Sequence, residues 1–271
     1  MNFIDCHSHS DCSFDAHNSV KAMFNKACKK QLVAYAITDH FESYLNDEQN
    51  NIDRIISSCA QIDECKKIES KTKLIKGVEI GQPLQDIESV NNLFSHCDFD
   101  FVLGSIHNAT NEDDFFYIDY KSITPCEMGK ILEQYFMDVY AMAVWNKIDI
   151  LAHLTYPYRY IRNSHRTELV IKSALFDDII NETFKVLIKN GKGIEVNTSG
   201  LFQEIGQTLP GLKYIKLFKE LGGEVISVGS DSHCVKQVAR GIKRATLLVQ
   251  DVGFKYVTYF ENRKPIMIKI N

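Results

Sequence analysis

Histidine and carboxylate side chains recur along this chain at positions from which metal chemistry could be done. His7 and His9 are two apart, Asp39 precedes His40, Asp231 and His233 are again two apart, and Glu79, His107 and His153 stand singly between them. Uncharged imidazole with carboxylate is a donor set suited to Zn²⁺, Mn²⁺ or Fe²⁺, whereas Ca²⁺ takes oxygen donors and thiolate sites need paired cysteines. Carboxylates gathered at one place would also repel one another unless cations compensated them. A lone histidine beside an apolar strand is more often a structural group, so the inference rests on the conjunction.

The elements that must position these residues are short β-branched runs at 2–6, 32–38, 74–80, 99–106, 148–152, 193–197 and 224–230, which alternate with segments of helical period. His7 and His9 follow the first run, Asp39 and His40 the second, and Glu79 lies near the end of the third. His107 follows the fourth, His153 the fifth, and Asp231 with His233 the seventh. Strands alternating with helices imply a parallel sheet; seven repeats favour closure into a barrel, with an open doubly wound sheet as the alternative. In a closed barrel all these strand ends converge on the C-terminal rim, where such folds place active sites, and six of the nine histidines fall there.

Between the strands, Ile52, Ile55, Ile56, Cys59 and Ile62 recur at helical spacing, as do Met128, Ile131, Leu132, Tyr135, Phe136 and Val139. Thr124, Pro125 and Glu127 predict a capped helix start, and Gly222-Gly223 a helix stop. Residues 246–270 read as strand-rich, forming a terminal hairpin or an added edge. No repeat, low-complexity tract or linker divides the chain, so residues 1–271 are expected to form one domain.

Composition excludes several classes of function. Charged residues make up 24% and the net charge is −4, so the basic excess that binds polymeric nucleic acid is missing. The start MNFIDCHSHS lacks a secretory signal and no run is long enough to span a membrane, which places the protein in the cytosol. Eight scattered cysteines without a CxxC pair are expected to be reduced core thiols. No heptad or exposed amphipathic helix points to an oligomeric partner.

The motifs, in order, are Asp5-Cys6-His7-Ser8-His9-Ser10 continuing to Ser13-Phe14-Asp15, Ile37-Thr38-Asp39-His40, Lys76-Gly77-Val78-Glu79, Gly104-Ser105-Ile106-His107, Leu151-Ala152-His153-Leu154, Glu195-Val196-Asn197-Thr198-Ser199-Gly200 and Gly229-Ser230-Asp231-Ser232-His233. Together they resemble the polymerase and histidinol phosphatase (PHP) superfamily, within it the histidinol-phosphatase branch, over nearly the whole chain. The resemblance implies a distorted seven-stranded (β/α) TIM-like barrel with a three-metal cluster at the C-terminal face of the strands. It assigns His7, His9, Glu79 and Asp231 to a first divalent ion, Glu79, His107 and His153 to a second, and Asp15, His40 and His233 to a third, with His17 as a nearby substitute.

The implied activity is hydrolysis of a small phosphate ester, L-histidinol phosphate, to histidinol and phosphate in histidine biosynthesis. Ions in such a cluster activate water and offset phosphoryl charge, and the chain has neither a nucleotide-binding phosphate loop nor a Gly-x-Ser-x-Gly elbow. Arg159 is the first candidate for a phosphate clamp and Arg162 the second, both in a loop after the fifth strand. Asp39 either protonates the leaving group or orients a ligand, the latter being favoured. Glu195 and Asn197 share a strand face, beneath the site or in a polar barrel layer, and Asn197 is a candidate substrate contact. Tyr156, Tyr158 and Tyr160 line a substrate mouth or cover the barrel end. The branch often carries an arginine directly after Asn-Thr-Ser-Gly-Leu, where this chain has Phe202. Rival readings are a PHP phosphatase or phosphodiesterase acting on a nucleotide or another small ester, and a non-catalytic metal-stabilised domain.

Overall fold

The structure, a computed structural model, describes residues 2–43, 48–170 and 173–270. The strands are β1 (Ile4–Asp5), β2 (Ala34–Ile37), β3 (His40–Glu42), β4 (Lys73–Gly81), β5 (Phe101–Ser105), β6 (Ile150–Leu151), β7 (Gly193–Asn197) and β8 (Ile226–Gly229), followed by β9 (Tyr256–Glu261) and β10 (Lys264–Lys269). The helices are α1 (Val20–Lys29), α2 (Glu48–Lys66), α3 (Ile87–His96), α4 (Pro125–Trp145), α5 (Tyr156–Asn163), α6 (Asp177–Lys189), α7 (Leu212–Glu220) and α8 (Ile242–Val252).

The sheet is parallel throughout, in the order β1-β2-β4-β5-β6-β7-β8. After β2 the chain is interrupted at Thr38-Asp39 and resumes as β3, which pairs farther along the same long β4 and sets His40 directly beside Glu79. Seven sheet positions therefore go round the barrel, the second shared by β2 and β3. It nearly closes where β1 meets β8: Cys6 N donates to Val228 O, Asp231 N to His7 O and His9 N to Ser232 O, each at 2.9 Å. The two ends of the chain's chemistry are thereby brought to one rim.

Apolar faces at the predicted spacing hold the helices against the barrel. Met128, Ile131, Leu132, Tyr135, Phe136 and Val139 of α4 are all buried, whereas in α2 Ile52, Ile55, Cys59 and Ile62 are buried and Ile56 faces outward. The α4 start is a full capping box, with Glu127 N donating to Thr124 Oγ1 at 3.2 Å and Thr124 N to Glu127 Oε2 at 2.8 Å. At the α7 end Gly222 takes φ +93°, a left-handed conformation, and Gly223 N closes the turn on Phe218 O at 2.9 Å.

Two expectations for the elements are corrected. Within residues 246–270 only β9 and β10 are strands, and Thr246 to Val252 belong to α8, because Ile242, Ala245, Thr246 and Val249 form a buried helical stripe. The β9–β10 hairpin packs under the entry ends of the strands: Phe260 stacks on Phe101 at 5.2 Å, Asn262 N donates to Asp100 Oδ1 at 3.0 Å, and Arg263 pairs with Asp149. Residues 156–163, read as a loop, form α5, since Pro157 sits in the first turn where no intrahelical N–H is needed. All eight cysteines are free, but only Cys6, Cys12, Cys59, Cys65 and Cys97 are buried; Cys126 is exposed and Cys28 and Cys234 are intermediate. No helix among the described residues is long and apolar enough to cross a membrane.

Candidate metal centre

Period two at the end of β1 turns His7 and His9 to the same side. There His7 Nε2 lies 3.1 Å from His9 Nε2, 3.2 Å from Glu79 Oε2 and 3.6 Å from Asp231 Oδ1. His9 Nε2 lies 3.6 Å from Glu79 Oε2 and 3.4 Å from Asp231 Oδ1. With bonds of about 2.1 Å, tetrahedral donors to a divalent ion stand about 3.4 Å apart. Five edges of this four-donor figure match that spacing.

Glu79 faces a second group through its other oxygen, with Oε1 at 2.9 Å from His153 Nε2 and 3.4 Å from His107 Nε2. A third group lies outward, where Asp15 Oδ2 is 3.1 Å from His233 Nε2 and 3.7 Å from His40 Nε2. Glu79, with no exposed surface, adjoins both inner groups. The structure thus brings together all nine residues that the sequence proposes for metal. It adds Glu42, which sequence reasoning missed: with His40 and His107 it forms a further potential donor set. Its signal was period two from His40, concealed because β3 was not read as a strand.

What aims the imidazoles is a layer of acceptors behind them. His7 Nδ1 is 2.8 Å from Glu195 Oε1, and His107 Nδ1 is 2.8 Å from Glu42 Oε1; a carboxylate can only accept, so both rings carry the proton on Nδ1. His233 Nδ1 donates to Asp231 O at 3.0 Å, and His9 Nδ1 faces Ser13 Oγ at 3.4 Å. Each of these rings therefore presents Nε2 to the shared space, the arrangement that fixes a metal-binding tautomer. Between His7 and His9 two lone pairs confront each other unless a proton or a cation intervenes, so the donor chemistry fits a bound cation.

Backbone geometry serves the same end. Asp231 takes φ +55°, a left-handed conformation that Asp tolerates better than most residues, and this turns the chain at the end of β8. At Gly229 an added Cβ would lie 2.1 Å from Glu195 Oε1 and 2.4 Å from His7 Cβ, so the Glu195–His7 pair fits only over a glycine.

Charge alternates through the cluster. Burial would lower every imidazole, but at His7 the carboxylates of Glu195, Glu79 and Asp231 outweigh it and hold the ring well above the ordinary histidine value. Burial is likewise outweighed at His107, chiefly by Glu42, and its pKa rises to about 10. His9 is driven down to about 3 by burial and by His40 and His233. Burial would raise Glu79 and Asp231, yet neighbouring histidines, His7 first, hold both well below the carboxylate range. Ligating a cation requires neutral rings, so its entry displaces protons from this cluster.

Above the donors opens a cavity of ≈ 720 Å³ whose walls include Arg159, Asp114, Tyr156, Tyr160 and Phe202. Arg159 Nη1 donates to Ser199 Oγ at 3.1 Å and its guanidinium lies 4.3 Å from the Tyr156 ring centre, while its buried Nε has no partner. Tyr156 and Tyr160, one turn apart on α5, line the cavity; Tyr158 does not.

Other sequence candidates lie elsewhere. Arg162 and His17 are exposed and outside the cavity. Asn197 has no exposed surface, its Nδ2 given to Glu195 Oε2 at 3.2 Å and its Oδ1 accepting Ser199 Oγ at 2.6 Å, so it braces Glu195 and Ser199 behind the wall. Asp39 is not free to protonate a leaving group: Ser10 N and Ser13 Oγ donate to Oδ1 at 2.6 and 2.7 Å, and Ser10 Oγ and Ser58 Oγ to Oδ2 at 2.7 and 2.5 Å. Through Ser13 it orients His9.

The family model described as PHP domain matches residues 5–199, a span containing every candidate donor except Asp231 and His233. The chain belongs to the PHP domain family. This PHP protein is 27% identical over 269 residues to a Thermotoga maritima protein described as "Probable histidinol-phosphatase", covering 98% of this chain and 99% of that one. It is 30% identical over 261 residues to a Clostridium acetobutylicum protein with the same description, covering 96% and 97%. Among solved structures, a Lactococcus lactis histidinol phosphate phosphatase complexed with zinc, L-histidinol and phosphate has the same fold, with a TM-score of 0.79 at 23% identity over 98% of this chain and 99% of that one.

Proposed function

We propose that this PHP protein is a metal-dependent phosphatase that hydrolyses L-histidinol phosphate to L-histidinol and inorganic phosphate, a step of histidine biosynthesis carried out in the cytosol. One observation carries the reading: a single cavity joins the imidazole–carboxylate cluster to a buried cation and an unpaired carboxylate separated by one tyrosine. Tyr156 lies under the Arg159 guanidinium and donates through its hydroxyl to Asp114 Oδ1 at 3.2 Å. No basic side chain among the described residues forms an ion pair with Asp114. The substrate is an ester whose phosphate and ammonium are separated by two carbons, and these are the charges such a pair of residues would receive. The relatives named histidinol-phosphatase, similar over nearly their whole length, support the same substrate.

In this reading three divalent ions of zinc, manganese or iron are held by His7, His9, Glu79 and Asp231, by Glu79, His107 and His153, and by Asp15, His40 and His233. When bound, such ions lower the pKa of water and offset the charge that gathers on phosphoryl oxygens. Arg159 contributes a donor that is already desolvated, and its unpartnered Nε recovers a hydrogen bond when a phosphate oxygen arrives. Asp114 receives the ammonium and sets the substrate's direction. Phe14, Phe116 and Tyr117 line the outer cavity, where they offer aromatic surface to the substrate's imidazole. The reading takes residues 1–271 as one catalytic domain, supported by a buried apolar cluster that includes both Ile4 and Ile270.

The test is phosphate release from L-histidinol phosphate beside nucleoside monophosphates, sugar phosphates and an aryl phosphate, using protein of measured metal content. A preference of about a hundredfold in kcat/KM, worth about 2.7 kcal/mol, is expected for histidinol phosphate. Preference for a nucleotide would instead assign the aromatic wall to base stacking and overturn the substrate. Full metal occupancy with no hydrolysis would return the chain to a structural role.

A further inference from the structure

We propose that Arg240 is a second phosphate-binding cation of this site, held at the cavity wall by the ring of Phe202. The inference rests on the phosphatase reading and adds a recognition residue from a segment outside the matched family span. Among the described residues two arginines and no lysine line the cavity, Arg159 and Arg240. Arg159 donates to Ser199 Oγ at 3.1 Å, and the guanidinium carbon of Arg240 stands 3.6 Å above the centre of the Phe202 ring.

Those two contact points belong to one turn. Residues Ser199–Phe202 form a 3₁₀ helix, in which positions three apart eclipse each other with a rise of about 6 Å. Ser199 and Phe202 therefore project on the same side of the turn, so both arginines contact one turn of the cavity wall. Phe202 itself is half-exposed and offers one face to the cation. Stacking over that face leaves the in-plane N–H groups of Arg240 free to donate sideways to an anion.

The side chain is exposed, but its root is fixed beside the same turn. Arg240 N donates to Gln237 O at 2.8 Å, Arg240 O accepts Thr198 Oγ1 at 2.6 Å, and Ala239 N donates to Asp5 Oδ2 at 2.9 Å. No carboxylate among the described residues pairs with the guanidinium. A cation that is rooted, stacked, unpaired and in the wall of a phosphate-ester cavity is a recognition group for the dianion. The ring of Phe202 thus holds the charge of Arg240 at the cavity wall.

The probe is inorganic phosphate as competitive inhibitor of aryl phosphate hydrolysis, which does not depend on histidinol being the natural leaving group. Arg240→Gln should weaken phosphate inhibition about tenfold, the effect of one charge-assisted hydrogen bond, with metal content unchanged and KM rising more than kcat falls. Phe202→Ala should weaken it less, since the cation stays but its platform goes. Phe202→Arg in the Arg240→Gln background should restore phosphate inhibition by returning the charge to the same wall. Equal inhibition of the wild type and Arg240→Gln would overturn the proposal, as would a loss of bound metal matching the loss of inhibition. A wild-type protein that neither hydrolyses phosphate esters nor binds phosphate would overturn the phosphatase reading, and this proposal with it.

Discussion

Replacing Glu195 with glutamine isolates the support behind His7 without removing any proposed donor to metal. Glu195 accepts His7 Nδ1 at 2.8 Å through Oε1, and His153 N at 2.9 Å together with Asn197 Nδ2 at 3.2 Å through Oε2. All three partners are donors, and an amide has one oxygen only. Whichever way the introduced amide turns, its NH₂ meets an N–H, either that of His7 or those of His153 and Asn197. The loss is at least one buried hydrogen bond to a charged acceptor, about 1.5–3 kcal/mol for each, and a metal affinity lower by about ten- to a hundredfold, the usual effect of removing such a supporting carboxylate. The assay is titration of metal-stripped protein against a chromophoric chelator, with melting curves recorded for the stripped and loaded forms. Metal affinity and turnover equal to wild type would refute the reasoning, because His7 would then hold its tautomer without Glu195.

Gly229→Ala should act on the same pair from the other side, since its Cβ would stand 2.1 Å from Glu195 Oε1; lowered metal affinity is expected, and an unchanged dissociation constant would show that the carboxylate relocates freely. His9→Ala should abolish turnover through loss of metal, whereas Arg159→Ala should keep its metal by elemental analysis and raise KM about tenfold or more; equal metal loss in both would refute the division of roles. Metal affinity should rise with pH through neutrality, because His7 and His107, whose pKa values are raised in the metal-free protein, must lose protons before they can ligate. Titrations in buffers of differing ionisation enthalpy would report those protons, and an affinity flat from about pH 6 to pH 8 would mean the rings are already neutral. Stripping the metal should speed amide exchange at Asp231 N and His9 N, which close the seam between β1 and β8, while Gly193 N, at the entry end of β7 and so at the opposite end of the barrel from the donors, keeps its protection.

The residues at the rim were legible because two sequence rules coincide: β-branched runs mark the strands, and a parallel barrel brings their ends together. What escaped depends on partners remote in sequence. Asp39 looks like a free carboxylate beside His40, and only the fold brings Ser58 from α2 and Ser10 from the β1 end to saturate it. Glu42 was hidden because Thr38-Asp39 looks like the end of a strand, whereas pairing along β4 resumes three residues of it as β3. Pro157 suggested a loop, although proline in a first turn starts a helix, and that helix turns Arg162 to solvent. The run from Thr246 to Val252 has strand-like composition, but a buried stripe beginning at Ile242 overrides that weak propensity.

The seam between β1 and β8 links folding to chemistry. Asp5, the last residue of β1, accepts Ser230 N at 2.8 Å and Ser230 Oγ at 2.6 Å, so a buried carboxylate fastens the first strand to the last. One step farther along the same seam, His7 and His9 face Asp231. These donors come from opposite ends of the chain and meet only when the barrel closes, so an unfolded chain offers no comparable site. An ion that binds them stabilises the closed form in proportion to its differential affinity. The carboxylates and imidazoles that would be costly to bury in one place are therefore tolerable for two linked reasons. Alternating charge offsets much of the cost in the metal-free state, and a bound cation replaces the protons of that state.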